Sequence, residues 1–76
     1  MPVIHDQGSY RIIIWPREHG EPHVHVYAAK FSAKVAIKDG RLIVGTLPAP
    51  QRRRVLRWIA ANRDMLARRW AEIAQV

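Results

Sequence analysis

The sequence predicts an α+β fold: an antiparallel β-meander of four to five short strands, packed on one face by a long C-terminal α-helix. Three observations lead there. Residues 31–38 alternate strictly, with Phe31, Ala33, Val35 and Ile37 on one side and Ser32, Lys34, Ala36 and Lys38 on the other. That is the period of a half-buried strand. Asp39-Gly40 follows at once, a two-residue hairpin signal because glycine, and aspartate to a lesser degree, tolerates positive φ. Beyond Leu47-Pro48-Ala49-Pro50 the period changes: Val55, Ile59, Leu66, Trp70 and Ile73 fall on one helical stripe, flanked by Leu56, Trp58 and Met65.

Each element can be justified in turn. Residues 3–5 read as a short first strand, with Asp6-Gln7-Gly8-Ser9 as its turn. Residues 10–15 (Tyr-Arg-Ile-Ile-Ile-Trp) are aromatic and β-branched and stop at Pro16, which predicts a strand buried on both faces. Residues 17–22 form a polar loop rich in chain breakers. Residues 23–27 alternate, with Val24 and Val26 facing one way and His23, His25 and Tyr27 the other. Residues 41–46 return as the partner of the 31–38 strand. Short loops between sequential strands predict the meander. The apolar stripe continues in phase across Asn62, predicting one long helix with a kink near that residue.

A chain of 76 residues makes a single domain, 1–76, with a thin core, since it buries only about 60% of its unfolded surface. Hydrophobic residues at 49% and three tryptophans separate it from disordered tails. With no cysteine, disulfides and thiolate zinc sites are excluded, and a reducing compartment is favoured. Residues 1–5 show no targeting segment and no apolar run approaches a membrane span. A cytoplasmic protein without a membrane partner is expected.

Thirteen Lys and Arg stand against six Asp and Glu, a net charge of +7 with neutral histidines. Residues 39–76 carry +5 of that, and ten of the cations are arginine. Arginine suits bidentate pairing with phosphate or carboxylate. An acidic partner is expected, either RNA or an acidic protein.

The densest chemistry lies in His19-Gly20-Glu21-Pro22-His23-Val24-His25. Residues two apart on a strand share a face, so the His23 and His25 rings converge on one object. His19 joins them if the loop folds back. Three roles are open to the cluster. His23, His25 and His19 can hold zinc or another borderline divalent metal, with Glu21 as an alternative third ligand. His23 and His25 can transfer protons as general acid and base, with His19 orienting them, as metal-free RNA cleavage requires. Or the imidazoles are structural, bonding loop carbonyls around Pro22. The proton-transfer reading expects no cofactor.

One family resemblance spans nearly the whole chain. It rests on His19-x-x-Pro22-His23-x-His25-Val26, the Lys38-Asp39-Gly40-Arg41 hairpin, Gly45-Thr46-Leu47-Pro48, and a helix carrying Trp58, Asn62-Arg63 and Trp70. The chain resembles the small bacterial domain-of-unknown-function family 4160. The resemblance implies one half of a two-gene, toxin–antitoxin-type module, whose partner is an acidic antitoxin protein encoded alongside. Family members more often carry two prolines before the second histidine; here Glu21-Pro22 places a carboxylate there.

Arg52, Arg53 and Arg54 sit in the opening turns of the helix, with Arg57 one turn on. Cations near a helix N-terminus cost about 0.3–1 kcal/mol each at low salt, so a bound anion is expected there; the bland alternative is a solvated face. Arg53, Arg57 and Arg68 lie opposite the apolar stripe, whereas Arg52 and Arg69 lie nearer it. Lys34 and Lys38 share a facing with each other and, given the right register, with His23 and His25. Trp58 and Trp70 fall with the core set, and Trp15 is placed to line the mouth of the histidine loop. The leading expectation is a toxin-type or regulatory protein engaging RNA, with arginines on phosphates. A thin core and unpaired sheet edges also leave room for a homodimer.

Overall fold

The computed structural model describes residues 3–74. Five strands run in chain order across one antiparallel sheet: β1 (Val3–Asp6), β2 (Arg11–Ile13), β3 (His23–Ala28), β4 (Phe31–Ala36) and β5 (Leu42–Gly45). Two helices follow, α1 (Ala49–Ala61) and α2 (Arg63–Ile73). The α+β class and the meander are as predicted, while three local features differ.

The turns differ first. Asp6 Oδ1 accepts the Gly8 N–H at 2.8 Å, closing the β1–β2 turn as expected. At Asp39-Gly40 the loop is wider than two residues. Asp39 Oδ1 accepts the Arg41 N–H at 3.0 Å, and the Gly40 N–H turns back to the Ala36 carbonyl at 2.9 Å. Residues 37–40 therefore form the loop, closed by the Ala36 N–H on the Arg41 carbonyl. Ile37 leaves the strand to enter the core, 4% exposed. The two-residue turn is instead Ala29-Lys30, between the paired Ala28 and Phe31, with Ala29 at φ 52°.

The second difference concerns facing. Ile12 pairs with Val26, Val24 with Val35 and Val26 with Ala33, so these side chains stack on one face beneath Val55, Ile59, Leu66 and Trp70. Burying each large aliphatic contributes about 1.5–3 kcal/mol. The other face is not simply solvated. Ile13 and Ala36 are buried there beside His23, although alternation places Ala36 with the lysines. Phe31, expected in the core, is 41% exposed at the far end of the β3–β4 hairpin. β5 ends at Gly45, whose φ is +87° and where a Cβ would strike the Ser32 carbonyl and lie 2.9 Å from the Ala33 Cα. Only glycine fits that approach.

The third difference is the helix, which is two helices rather than one. Asn62, at φ −128° and ψ 23°, ends α1 and precedes α2. Its backbone N–H bonds the Ile59 carbonyl at 3.1 Å, which deprives the Trp58 carbonyl of its usual i+4 donor. The Asn62 side-chain amide supplies the replacement at 2.8 Å. Arg63 Nε–H then donates to the Ile37 carbonyl at 3.0 Å, tying the start of α2 to the 37–40 loop. The apolar stripe nevertheless reaches the core on both sides of the break, through Val55 and Ile59 before it and Leu66 and Trp70 after it. Among the described residues, no helix is long and apolar enough to cross a membrane.

Candidate functional site

The histidine site begins with β3. Strand alternation sends Val24 and Val26 into the core and turns His23 and His25 to the opposite side, where their rings lie 5.1 Å apart. Register places Lys34 directly opposite His25, so the expected His/Lys adjacency holds for that pair, whereas Lys38 lies exposed in the 37–40 loop. His23 starts the strand opposite Ala36, at the sheet end, and its ring meets that of Trp70 at 4.9 Å.

The 14–22 loop folds back over these rings. Arg17 takes a left-handed φ of 60° and Gly20 one of 85°, reversing the chain on either side of Glu18 and His19. Glu18 is the group this reversal delivers. Its Oε1 accepts the His25 Nε2–H at 2.6 Å, and its Oε2 lies 3.8 Å from His23 Nε2. His19, expected to close the cluster, is exposed. Donor atoms of Glu18, His23 and His25 all lie within 4.8 Å of one another. The glutamate was not singled out from sequence, although it stands immediately before the histidine motif.

Glu21 contributes through its backbone and holds the loop. A carbonyl only accepts, so His23 Nδ1–H donates to the Glu21 oxygen at 2.8 Å. That leaves Nε2 as the second ring nitrogen, buried without a hydrogen-bond partner. The Glu21 carboxylate pairs with Arg41, which also bonds Asp39 Oδ2 at 3.0 Å. The Arg41 backbone N–H, with its guanidinium charge in support, holds the Asp39 carboxyl below its usual range. Burial lowers the His25 pKa, outweighing the opposing hydrogen bond from Glu18. Trp15 stands edge-on to His25 at 6.5 Å and donates its Nε1–H to the Tyr27 hydroxyl at 3.3 Å. His25 also lines a recess of about 150 Å³ with Tyr27, Ser32, Lys34 and Val44, whereas the His23 side chain is only 5% exposed.

The arginines occupy a different layer. Val55 and Ile59 hold α1 against the core face of the sheet, which leaves Arg52, Arg53, Arg54 and Arg57 exposed. None of the four has an acidic partner among the described residues. The first turn of α1 contains no acid, and its N-cap, Pro48, offers no side-chain bond. Arg54 and Arg57 rim a cleft of about 520 Å³ between α1 and the β1–β2 turn, lined also by Gln7, Ser9, Tyr10 and Trp58. Trp58 is partly buried and stacks on His5 at 4.3 Å and 13°, while Trp70 is fully in the core. The α1 arginines thus stand on the helix side of the sheet and His25 on the other face, while His23, at the sheet end, also touches Trp70 of α2.

No curated protein and no solved structure matches the chain. The model of the family described as Domain of unknown function (DUF4160) matches residues 9–71. That span takes in the histidine site, both helix-borne arginine groups and every strand but the first; the chain belongs to this family.

Proposed function

We propose that this protein binds single-stranded RNA along α1, as the basic member of a two-gene, toxin–antitoxin-type module. The observation that supports the reading is the cleft in which Arg54 and Arg57 stand over an apolar, aromatic floor containing Tyr10 and Trp58. A cavity of about 520 Å³ falls in the range that encloses a small ligand, about 300–1,000 Å³. Arginines at the rim suit phosphates, and an aromatic floor suits a base; both are the usual components of single-strand binding. Arg52 and Arg53 extend the cationic row beyond the cleft.

Fluorescence anisotropy with a labelled single-stranded RNA oligonucleotide tests this. Wild type should bind at low salt, and Arg54→Glu with Arg57→Glu should weaken binding about tenfold or more, because two phosphate contacts become repulsive. Absence of wild-type binding, or equal binding by the double variant, overturns the RNA reading. The second reading is an acidic partner protein on the same arginines, favoured by their lack of internal acidic partners. A salt-sensitive complex with the co-expressed neighbour, formed by a wild type that ignores RNA, would select it.

A further inference from the structure

We infer that Glu18, His23 and His25 form a binding site for a borderline divalent metal ion of the zinc class. The site lies in a different layer from the α1 arginines and does not depend on the RNA reading.

The donor set is the first ground. Two imidazoles and one carboxylate converge within 4.8 Å, a combination that suits zinc and similar ions and leaves a coordination position for water. Calcium and magnesium want oxygen donors instead. Tetrahedral zinc with bonds of about 2.0–2.1 Å needs its donors about 3.3 Å apart. His25 Nε2 and Glu18 Oε1, at 2.6 Å, would open by about 0.7 Å. His23 Nε2 and Glu18 Oε2, at 3.8 Å, would close by about 0.5 Å. Each is a shift of less than about 1 Å in a side chain carried on a loop folded over the strand.

The second ground is independent of that clustering. His23 is 95% buried by side chain, being 5% exposed, and its Nε2 has no hydrogen-bond partner. An unpaired buried nitrogen costs about 1–3 kcal/mol. With Nδ1–H committed to the Glu21 carbonyl at 2.8 Å, Nε2 faces a carboxylate oxygen, itself an electron-pair donor, at 3.8 Å. An imidazole nitrogen and a carboxylate oxygen facing each other across that gap suit a cation between them. The Nδ1–H bond to a backbone carbonyl is also the support that metal-ligating histidines nearly always have, because it fixes the tautomer and ring orientation. The Glu21–Arg41–Asp39 network holds that carbonyl in place.

In the metal-loaded site, His23 and His25 bind through Nε2 and Glu18 through its carboxylate, Oε1 toward His25 and Oε2 toward His23. The hydrogen bond between His25 and Glu18 gives way to two bonds to the ion, and the His25 proton resides on Nδ1.

Zinc titration of the tag-free protein, read by competition with a chromophoric chelator, tests the site. A second readout is the visible spectrum of the cobalt(II) form. One equivalent of zinc should bind wild type, and cobalt should show the strong bands of tetrahedral coordination. Losing a supporting residue alone costs about 10–100-fold in affinity, so Glu18→Gln and His25→Ala should each lose about a hundredfold or more. His19→Ala should bind as wild type. His23→Ala is informative only if it folds, and Glu18→Gln keeps the test independent of it. Absence of stoichiometric binding by wild type overturns the site, as does binding that survives both Glu18→Gln and His25→Ala. Loss of binding on His19→Ala overturns this ligand set.

Discussion

Tyr10 shows how far one buried group governs behaviour. Its side chain is 4% exposed at the floor of the arginine cleft, with the His5 ring 5.7 Å away. Burial raises its pKa above 10.0, and the Arg54 charge opposes that only in part. A raised folded-state pKa means that the folded chain resists ionising this phenol. Its contribution is therefore complete below the unfolded pKa and is lost as pH rises through the folded value. The urea midpoint of wild type should fall more between about pH 9 and pH 11 than that of Tyr10→Phe. Equal losses in the two proteins would remove Tyr10 as the cause.

Among the elements, the break between α1 and α2 has the clearest single cause. Asn62 Nδ2–H replaces the backbone donor that the Trp58 carbonyl loses where the helix ends. Asn62→Ala leaves that carbonyl unpaired and should destabilise the protein by about 1 kcal/mol, offset by a few tenths from alanine's better helix propensity. Urea denaturation measures the difference. A neutral or stabilising result would show that the backbone closes the gap and fuses the helices. The break also frees Arg63 to reach the Ile37 carbonyl, so it anchors α2 beside the loop that Arg41 links to Glu21. Helix break, β4–β5 loop and histidine loop are in this way one mechanical unit.

At the scale of the molecule, layering separates two chemistries. α1 covers the Val24 and Val26 side of the sheet, and His25 projects from the other. On the RNA reading, a strand lying along α1 runs on the face of the sheet opposite His25. The salt dependence of the proposed RNA binding should reflect that. For a single strand, log K falls by about 0.7 per phosphate contact for each unit of log salt. Arg54→Ala with Arg57→Ala should therefore flatten the slope by about 1.4, and His25→Ala should leave it unchanged. A flattened slope in His25→Ala would place RNA on both faces and refute this layering.

Much of the architecture was written in local pattern. Alternation over residues 31–38, the apolar stripe from Val55 to Trp70 and the facing of Val24 and Val26 against His23 and His25 all follow from period alone, because side-chain direction is a property of each backbone type. Convergence of His23 and His25 was legible for the same reason. The residue that completes their site was not. Which of Glu18, His19 and Glu21 turns inward depends on the left-handed turn at Arg17 and on Arg41 drawing the Glu21 side chain away. Neither leaves a periodic trace. Likewise Asp39-Gly40 lies in a four-residue loop closed between Ala36 and Arg41, while a two-residue turn falls at Ala29-Lys30. The sequence by itself determined the α+β meander, its charge and the shared face of the two histidines. Tertiary structure alone decided that Glu18, rather than His19 or Glu21, joins the histidines, since that depends on how the 14–22 loop folds and on the Arg41–Glu21 pair, which leave no local period.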